Sequence, residues 1–201
     1  MARILSDRAS KTDQVVVLPS SLEDPNKAPP GAFRILIWTA CASISAFFAA
    51  LMIAYVWRAG TGPYWQPVVF PPVLWLSTSI ILASSGTFEV ARRVFRRGLW
   101  RLASRLFVVT ATLGMTFLAA QLVAWRELVK QGAYLMENPH GAFFYLFTGL
   151  HAAHLLGGLI ALFVIVFGRK KRREIVDVTA YYWHFLSVLW VILFAVLKNV
   201  S

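Results

Sequence analysis

The chain has 201 residues, 58% hydrophobic and only 14% charged, with a formal net charge of +11 and a mean hydropathy of +0.63. A soluble domain is about half apolar and a quarter charged, so the composition excludes an ordinary water-soluble fold. The positive charge then reads as membrane topology rather than nucleic-acid binding. The single cysteine, Cys41, offers no disulfide framework and no cysteine-based metal motif, and reads as a small apolar helix residue.

Residues 1–32 are polar and punctuated by Asp24-Pro25-Asn26 and Pro29-Pro30-Gly31. They read as a cytoplasmic tail, because the apolar run that follows is too long for the core of a secretory signal. Residues 33–201 then form one transmembrane domain. A hydrocarbon core of about 30 Å needs roughly 20 helical residues, and five apolar segments reach that length, near 33–57, 71–88, 102–125, 142–167 and 179–197. Pro71 and Pro72 suit the first turn of the second helix. Ser77, Thr78, Ser79, Ser84 and Ser85 dilute its apolar character.

The basic residues fall on alternate sides. One side holds Arg3, Arg8, Lys11, Lys27 and Arg34; Arg92, Arg93, Arg96, Arg97, Arg101 and Arg105; and Arg169, Lys170, Lys171, Arg172 and Arg173. The other holds only Arg58, Arg126, Lys130 and Lys198. The positive-inside rule sets the N-terminus in the cytoplasm and the C-terminus outside, which requires an odd number of spans. Trp57, Tyr64, Trp65 and Trp125 fall at the outer ends as an interfacial aromatic belt. The expected fold is an all-α integral membrane protein with five transmembrane helices, N-in and C-out. Arg93, Arg97, Arg101 and Arg105 recur every four residues, so a continuous helix would carry them as one basic stripe. Such a stripe serves as a solvated topology anchor or as a docking surface for lipid headgroups or a partner.

Polar groups inside spans are costly and informative. Besides the serines of the second helix they are Gln121, His151, His154 and His184. His154 falls near mid-membrane with His151 further out, whereas His184 sits about six residues into the fifth helix. The depths differ by roughly 10 Å, too much for paired haem ligands. Three dispersed imidazoles also make no copper cluster, so the expectation is hydrogen-bonded structural histidines and no metal site. Of the carboxylates only Glu89 lies near a span, so no buried acid relay is encoded. Gly149, Ala153, Gly157 and Ala161 form a small-residue stripe that admits a neighbouring helix. Asp177 and His184 lie seven apart on one face, Asp177 serving either to orient a polar group or as a solvated charge at a helix start.

The fourth helix carries Phe143-Phe144 and then Thr148-Gly149-Leu150-His151-Ala152-Ala153-His154, and the fifth reads Tyr182-Trp183-His184-Phe185, Val188-Leu189-Trp190 and Leu193-Phe194. With Ala83-Ser84-Ser85-Gly86-Thr87, Leu113-Gly114 and Phe117-Leu118-Ala119-Ala120-Gln121 in the same order, this resembles subunit III of haem–copper oxidases over about residues 33–198, in the short five-helix form. The resemblance implies a chain without haem or copper of its own. It would pack on the catalytic subunit I beside subunit II in a bacterial inner membrane, bind phospholipid and support proton uptake. The complex would reduce oxygen to water with electrons from cytochrome c or quinol and pump protons, the haem and copper residing in the partner subunits. The candidate lipid- or partner-binding residues are His151, His154, Asp177, Trp183, His184, Arg93 and Arg97, with Gly149, Ala153 and Gly157 for helix packing.

The resemblance implies carboxylates at three positions where this chain has Ile44, Ala124 and Ser187. The replacements take away groups that a proton-related role would use and leave a scaffold and lipid-binding role untouched. They also keep open a subunit III-like partner of a nitric oxide reductase. A stand-alone carrier is the reading from another class, against which stand the lack of an internal repeat and of a broken-helix pair. A small membrane cytochrome b is discounted by the histidine depths.

Overall fold

The computed structural model describes residues 32–61, 70–130, 139–168 and 173–200. The tail to residue 31, Tyr64, Trp65 and the run Arg169, Lys170, Lys171 and Arg172 lie outside the described residues. The described residues form five helices: α1 (Ala32–Thr61), α2 (Val73–Arg96), α3 (Trp100–Lys130), α4 (Pro139–Phe167) and α5 (Arg173–Val200). Each is long and apolar enough to cross a membrane. They overrun the apolar segments of the sequence, most of all at the C-terminal end of α2 and the N-terminal end of α5. Hydropathy locates the hydrocarbon slab, whereas backbone hydrogen bonding carries a helix on beyond it. The 31 residues of α3 reach about 46 Å at 1.5 Å each, well past a core of about 30 Å.

Helix α2 starts at Val73 with Pro72 as its N-cap, so the prolines precede the first turn rather than forming it, and the Leu74 and Trp75 N–H groups donate to the Pro71 and Pro72 carbonyls at 3.1 Å. Its end corrects the reading of the arginines. Gly98 has φ +83°, a conformation that costs a side-chain-bearing residue but not glycine. Around it Gly98 N–H donates to Phe95 O at 3.0 Å and Leu99 N–H to Val94 O at 3.3 Å, the closing pattern of a Schellman motif. The chain therefore turns at 97–99, and no single helix carries the arginine stripe. Arg93 belongs to α2, Arg97 caps it, and Arg101 and Arg105 belong to α3.

Helices α2, α3, α4 and α5 pack in sequence, and α5 returns to α2, closing a four-helix ring. Helix α1 stands on the outside of the ring, with Phe48 and Tyr55 buried against it and Ile44, Leu51 and Met52 part-buried around them. Phe48 meets His154 of α4 edge-on at 5.9 Å. Tyr55 meets Phe143 and Phe147 of α4, and its hydroxyl donates to Leu197 O of α5 at 3.5 Å. The outward faces are apolar, with Ile35, Leu36, Trp38, Ile53, Trp57, Ile160 and Val164 exposed. The ring interior holds Ser77, Ser84, Thr110, Gln121, Thr148, His151 and Ser187.

Close approach centres on Trp183 of α5, which is fully buried. A Cβ added at Gly114 of α3 would lie 3.0 Å from its ring, and one at Gly158 of α4 3.3 Å. Phe88 of α2 lies against it at 5.9 Å between ring centroids. Trp183 is thus core, and its assignment to lipid or partner contact is corrected: four helices close over it. The glycines that matter inside the chain are Gly114 and Gly158. A Cβ added at Gly149 would meet Trp125 at an ordinary 3.8 Å, while Ala153 and Gly157 are exposed and Gly157 has open space before it. Gly114→Val should lower thermal stability in detergent by about 1–3 kcal/mol through overpacking. Gly86→Ala, facing open space, should be neutral or stabilising by up to about 1 kcal/mol. Circular dichroism melts of the purified variants check both.

Candidate functional site

The end of the bundle rich in arginine carries a charge network between α2 and α5. Glu89 accepts from Arg92 Nε at 2.8 Å and Nη2 at 2.9 Å, and from Arg93 Nε at 2.8 Å. These are the i,i+3 and i,i+4 neighbours that a helix sets side by side. Arg92 extends Nη1 across to Asp177 Oδ1 at 3.4 Å, and Arg96 Nη2 donates to the same oxygen at 2.8 Å. The Arg92 guanidinium lies 5.7 Å from the centre of the Tyr181 ring. The side chains of Glu89, Arg92 and Asp177 are only 17–23% exposed, whereas those of Arg93 and Arg96 reach outward at 70% and 50%.

His184 joins this network from α5. Its Nδ1 pairs with the Ser85 hydroxyl, and its Nε2 faces Glu89 Oε2 at 3.5 Å. An Nε2–H imidazole satisfies both neighbours, with Ser85 donating to Nδ1 and Nε2 turned to the carboxylate. Asp177, His184 and Arg93, expected on separate grounds, are thereby brought into one cluster through Arg92 and Glu89. Of the two readings of Asp177, the solvated charge at a helix start does not hold: α5 begins four residues earlier, and the carboxylate is held by two arginines. Glu89 is likewise not the only acid in play.

Deeper in the ring the hydroxyls of α2 hold its neighbours. Gln121 Nε2 of α3 donates to Ser77 Oγ at 2.9 Å, Trp190 Nε1 of α5 to Thr78 Oγ1 at 3.0 Å, and Ser84 Oγ to Thr110 O of α3 at 3.1 Å. Between α3 and α4, Trp125 Nε1 donates to Thr148 Oγ1 at 2.9 Å. In a medium without water such bonds satisfy groups that would otherwise cost several kcal/mol each.

His151 and His154 separate in function despite their spacing. His154 Nδ1 bonds the Leu150 carbonyl at 2.7 Å, and its own carbonyl accepts from Tyr182 Oη at 3.1 Å. His151 is fully buried between Trp190 at 5.2 Å and Phe117 at 5.9 Å. Neither of its ring nitrogens has a hydrogen-bond partner among the described residues, so the expectation of a hydrogen-bonded histidine is corrected there: its neighbours are aromatic faces. Among the described residues no three His, Cys, Asp or Glu side chains come together as metal ligands. Ile44 packs part-buried on the core, Ala124 is fully buried, and Ser187 Oγ donates to Trp183 O at 3.0 Å.

Arg92 and Arg96 were read from sequence only as topology charges, Trp125 only as an interfacial aromatic and Thr148 only as part of a motif; Thr110 was not singled out. The Glu89-Arg92-Arg93 spacing carried a signal for the first of these. The contacts between helices carried none.

Residues 33–200 match the family model described as cytochrome c oxidase subunit III. The chain belongs to that family. A protein of Mycobacterium bovis named probable cytochrome c oxidase subunit 3 is 32% identical over 187 residues, covering 88% of this chain and 90% of its own length. One of Nocardia farcinica with the same name is 33% identical over 186 residues, covering 87% and 89%. The cytochrome c oxidase subunit 3 of Bacillus sp. PS3 is 26% identical over 168 residues, covering 79% and 81%. Membership makes this five-helix bundle a subunit III of a respiratory terminal oxidase and a component of an oxidase complex.

Asp177→Asn should weaken the α2–α5 tie by about 1.5–3 kcal/mol, the range for hydrogen bonds to charged groups. The double variant Asp177→Asn/Arg96→Gln should cost less than the sum of the two single changes, since both remove one interaction. Thermal melts of the four proteins in detergent measure the coupling.

Proposed function

We propose that the chain is the non-catalytic subunit III of a haem–copper terminal oxidase in a bacterial inner membrane, packing on subunit I beside subunit II and stabilising it. The family match across the whole five-helix domain carries this reading. Haem and copper would reside in the partner subunits, which reduce oxygen to water and pump protons, while this chain contributes no redox centre. The concentration of arginine at the Glu89–Asp177 end supports placing that end, and the N-terminus, in the cytoplasm. The internal use of Glu89, Asp177 and His184 in ion pairs and hydrogen bonds supports a structural role for that cluster. Exposed Arg93 and Arg97 are available to anionic lipid headgroups, and exposed Ala153 and Gly157 to a partner helix.

Gentle detergent extraction of the tagged chain from its native membrane tests the reading. The expected outcome is co-purification of a haem–copper catalytic subunit with its visible spectrum; recovery of the chain alone would overturn it. In the same preparation Gly157→Leu should reduce the recovered catalytic subunit several-fold. His184→Ala should lower the thermal stability of the complex while oxygen reduction per haem stays near that of the parent.

A further inference from the structure

The arginines of this end differ in what they do. Arg92, Arg93 and Arg96 are bonded to Glu89 and Asp177. Arg101 and Arg105, on the first two turns of α3, are exposed, and neither pairs with a carboxylate among the described residues. At helical spacing they share a face with Val108, Thr112 and Met115, one and more turns further along. Those three residues line one wall of an open groove between α3 and α4, with Phe163 and Phe167 on the opposite wall. The groove has a volume of about 230 Å³ and is almost wholly apolar. From Val108 to Met115 it runs about 10 Å along the helix axis. At its arginine end α4 stops at Phe167, and the sequence continues into Arg169, Lys170, Lys171 and Arg172.

We infer that this groove seats one acyl chain of an anionic phospholipid whose phosphate is held by Arg101 and Arg105. The charge arrangement selects the occupant: a row of unpaired guanidiniums at one end of an apolar furrow matches a phosphate joined to a hydrocarbon chain, and arginine offers a phosphate paired N–H donors. Met115, Phe163 and Phe167 stand in the lining beside Ala111 and Thr112, so the walls do not form the continuous small-residue face that close helix approach uses. The inference rests on the phospholipid-binding reading above but assigns it to a different surface from Arg93 and Arg97.

The test is lipid counting by native mass spectrometry of the complex purified in mild detergent. The parent is compared with Arg101→Gln/Arg105→Gln, with Arg101→Lys/Arg105→Lys, with Met115→Trp, which fills the groove from its exposed rim, and with Arg93→Gln/Arg97→Gln. The inference expects one anionic phospholipid per copy to be lost in the Gln pair at 101 and 105 and in Met115→Trp, and retained in the Lys pair. Retention in the first two variants overturns it. If the lipid is lost only from Arg93→Gln/Arg97→Gln, the groove assignment fails while phospholipid binding stands. If the parent carries no anionic lipid, both fail. Loss of another polypeptide instead of lipid from Met115→Trp would make the groove a protein interface and overturn the inference.

Discussion

Trp183 is the side chain around which the ring closes. It stands on α5, lies against Phe88 of α2, and fills the space left by Gly114 of α3 and Gly158 of α4. In lipid no hydrophobic force drives helix against helix, because the alternative environment of an apolar side chain is equally apolar. Contact must come from shape, and one large ring set into two missing side chains supplies it for four helices together. Distant features depend on this fit. The depth at which Trp183 seats fixes the rotation of α5, and that rotation carries Asp177 and His184 toward α2 and Trp190 toward Thr78 and His151.

The polar residues follow the same logic from the other side. Helix α2 is the least apolar by sequence, yet Ser77, Thr78, Ser84, Ser85 and Thr87 turn their hydroxyls to α3 or α5, and Ser79 alone of those named from sequence faces out. Dilution with serine and threonine therefore records a central position in the bundle rather than a weak span. At the arginine end the helices leave the slab, and ion pairs replace hydroxyls as the link between α2 and α5. Arg92 is the joint, sharing its guanidinium between a carboxylate of its own helix and one of the neighbour. A half-buried pair of this kind is retained by mutual dependence, since loss of either partner leaves the other charged and poorly solvated.

Much of this was legible in the chain itself. Five apolar blocks of spanning length gave the five helices because hydrocarbon thickness constrains every membrane helix alike. The ordered motifs around His151, His154 and Trp183 pointed to the family. What failed were statements about faces and neighbours. An arginine every fourth residue implies one stripe only if the helix is continuous, and Gly98 ends it. A Gly149–Gly157 spacing marks a face open to close approach, but the glycine pressed by Trp183 is the adjacent Gly158, whose contact is decided by the rotation of α4. Trp183 looked like a surface candidate because its motif was distinctive. Its distinctiveness reflects a packing role that has no signature in one dimension.

The position of α1 bears on how such a bundle is used. The helices of the α2–α5 ring are tied to one another by side-chain hydrogen bonds and ion pairs, whereas α1 is joined to it through Phe48, Tyr55 and the part-buried residues around them. Its remaining apolar face is compatible with lipid or another chain at little cost, since neither environment is aqueous. On the accessory-subunit reading, a closed ring beside a lightly held helix divides the work. The ring keeps its shape through internal bonds, and the surfaces left for assembly are those where small residues or unpaired arginines remain outside. The ion pairs sharpen that division: Glu89 and Asp177 engage Arg92, Arg93 and Arg96, whereas Arg101 and Arg105 pair with no carboxylate among the described residues and share a helix face with one wall of the apolar groove between α3 and α4.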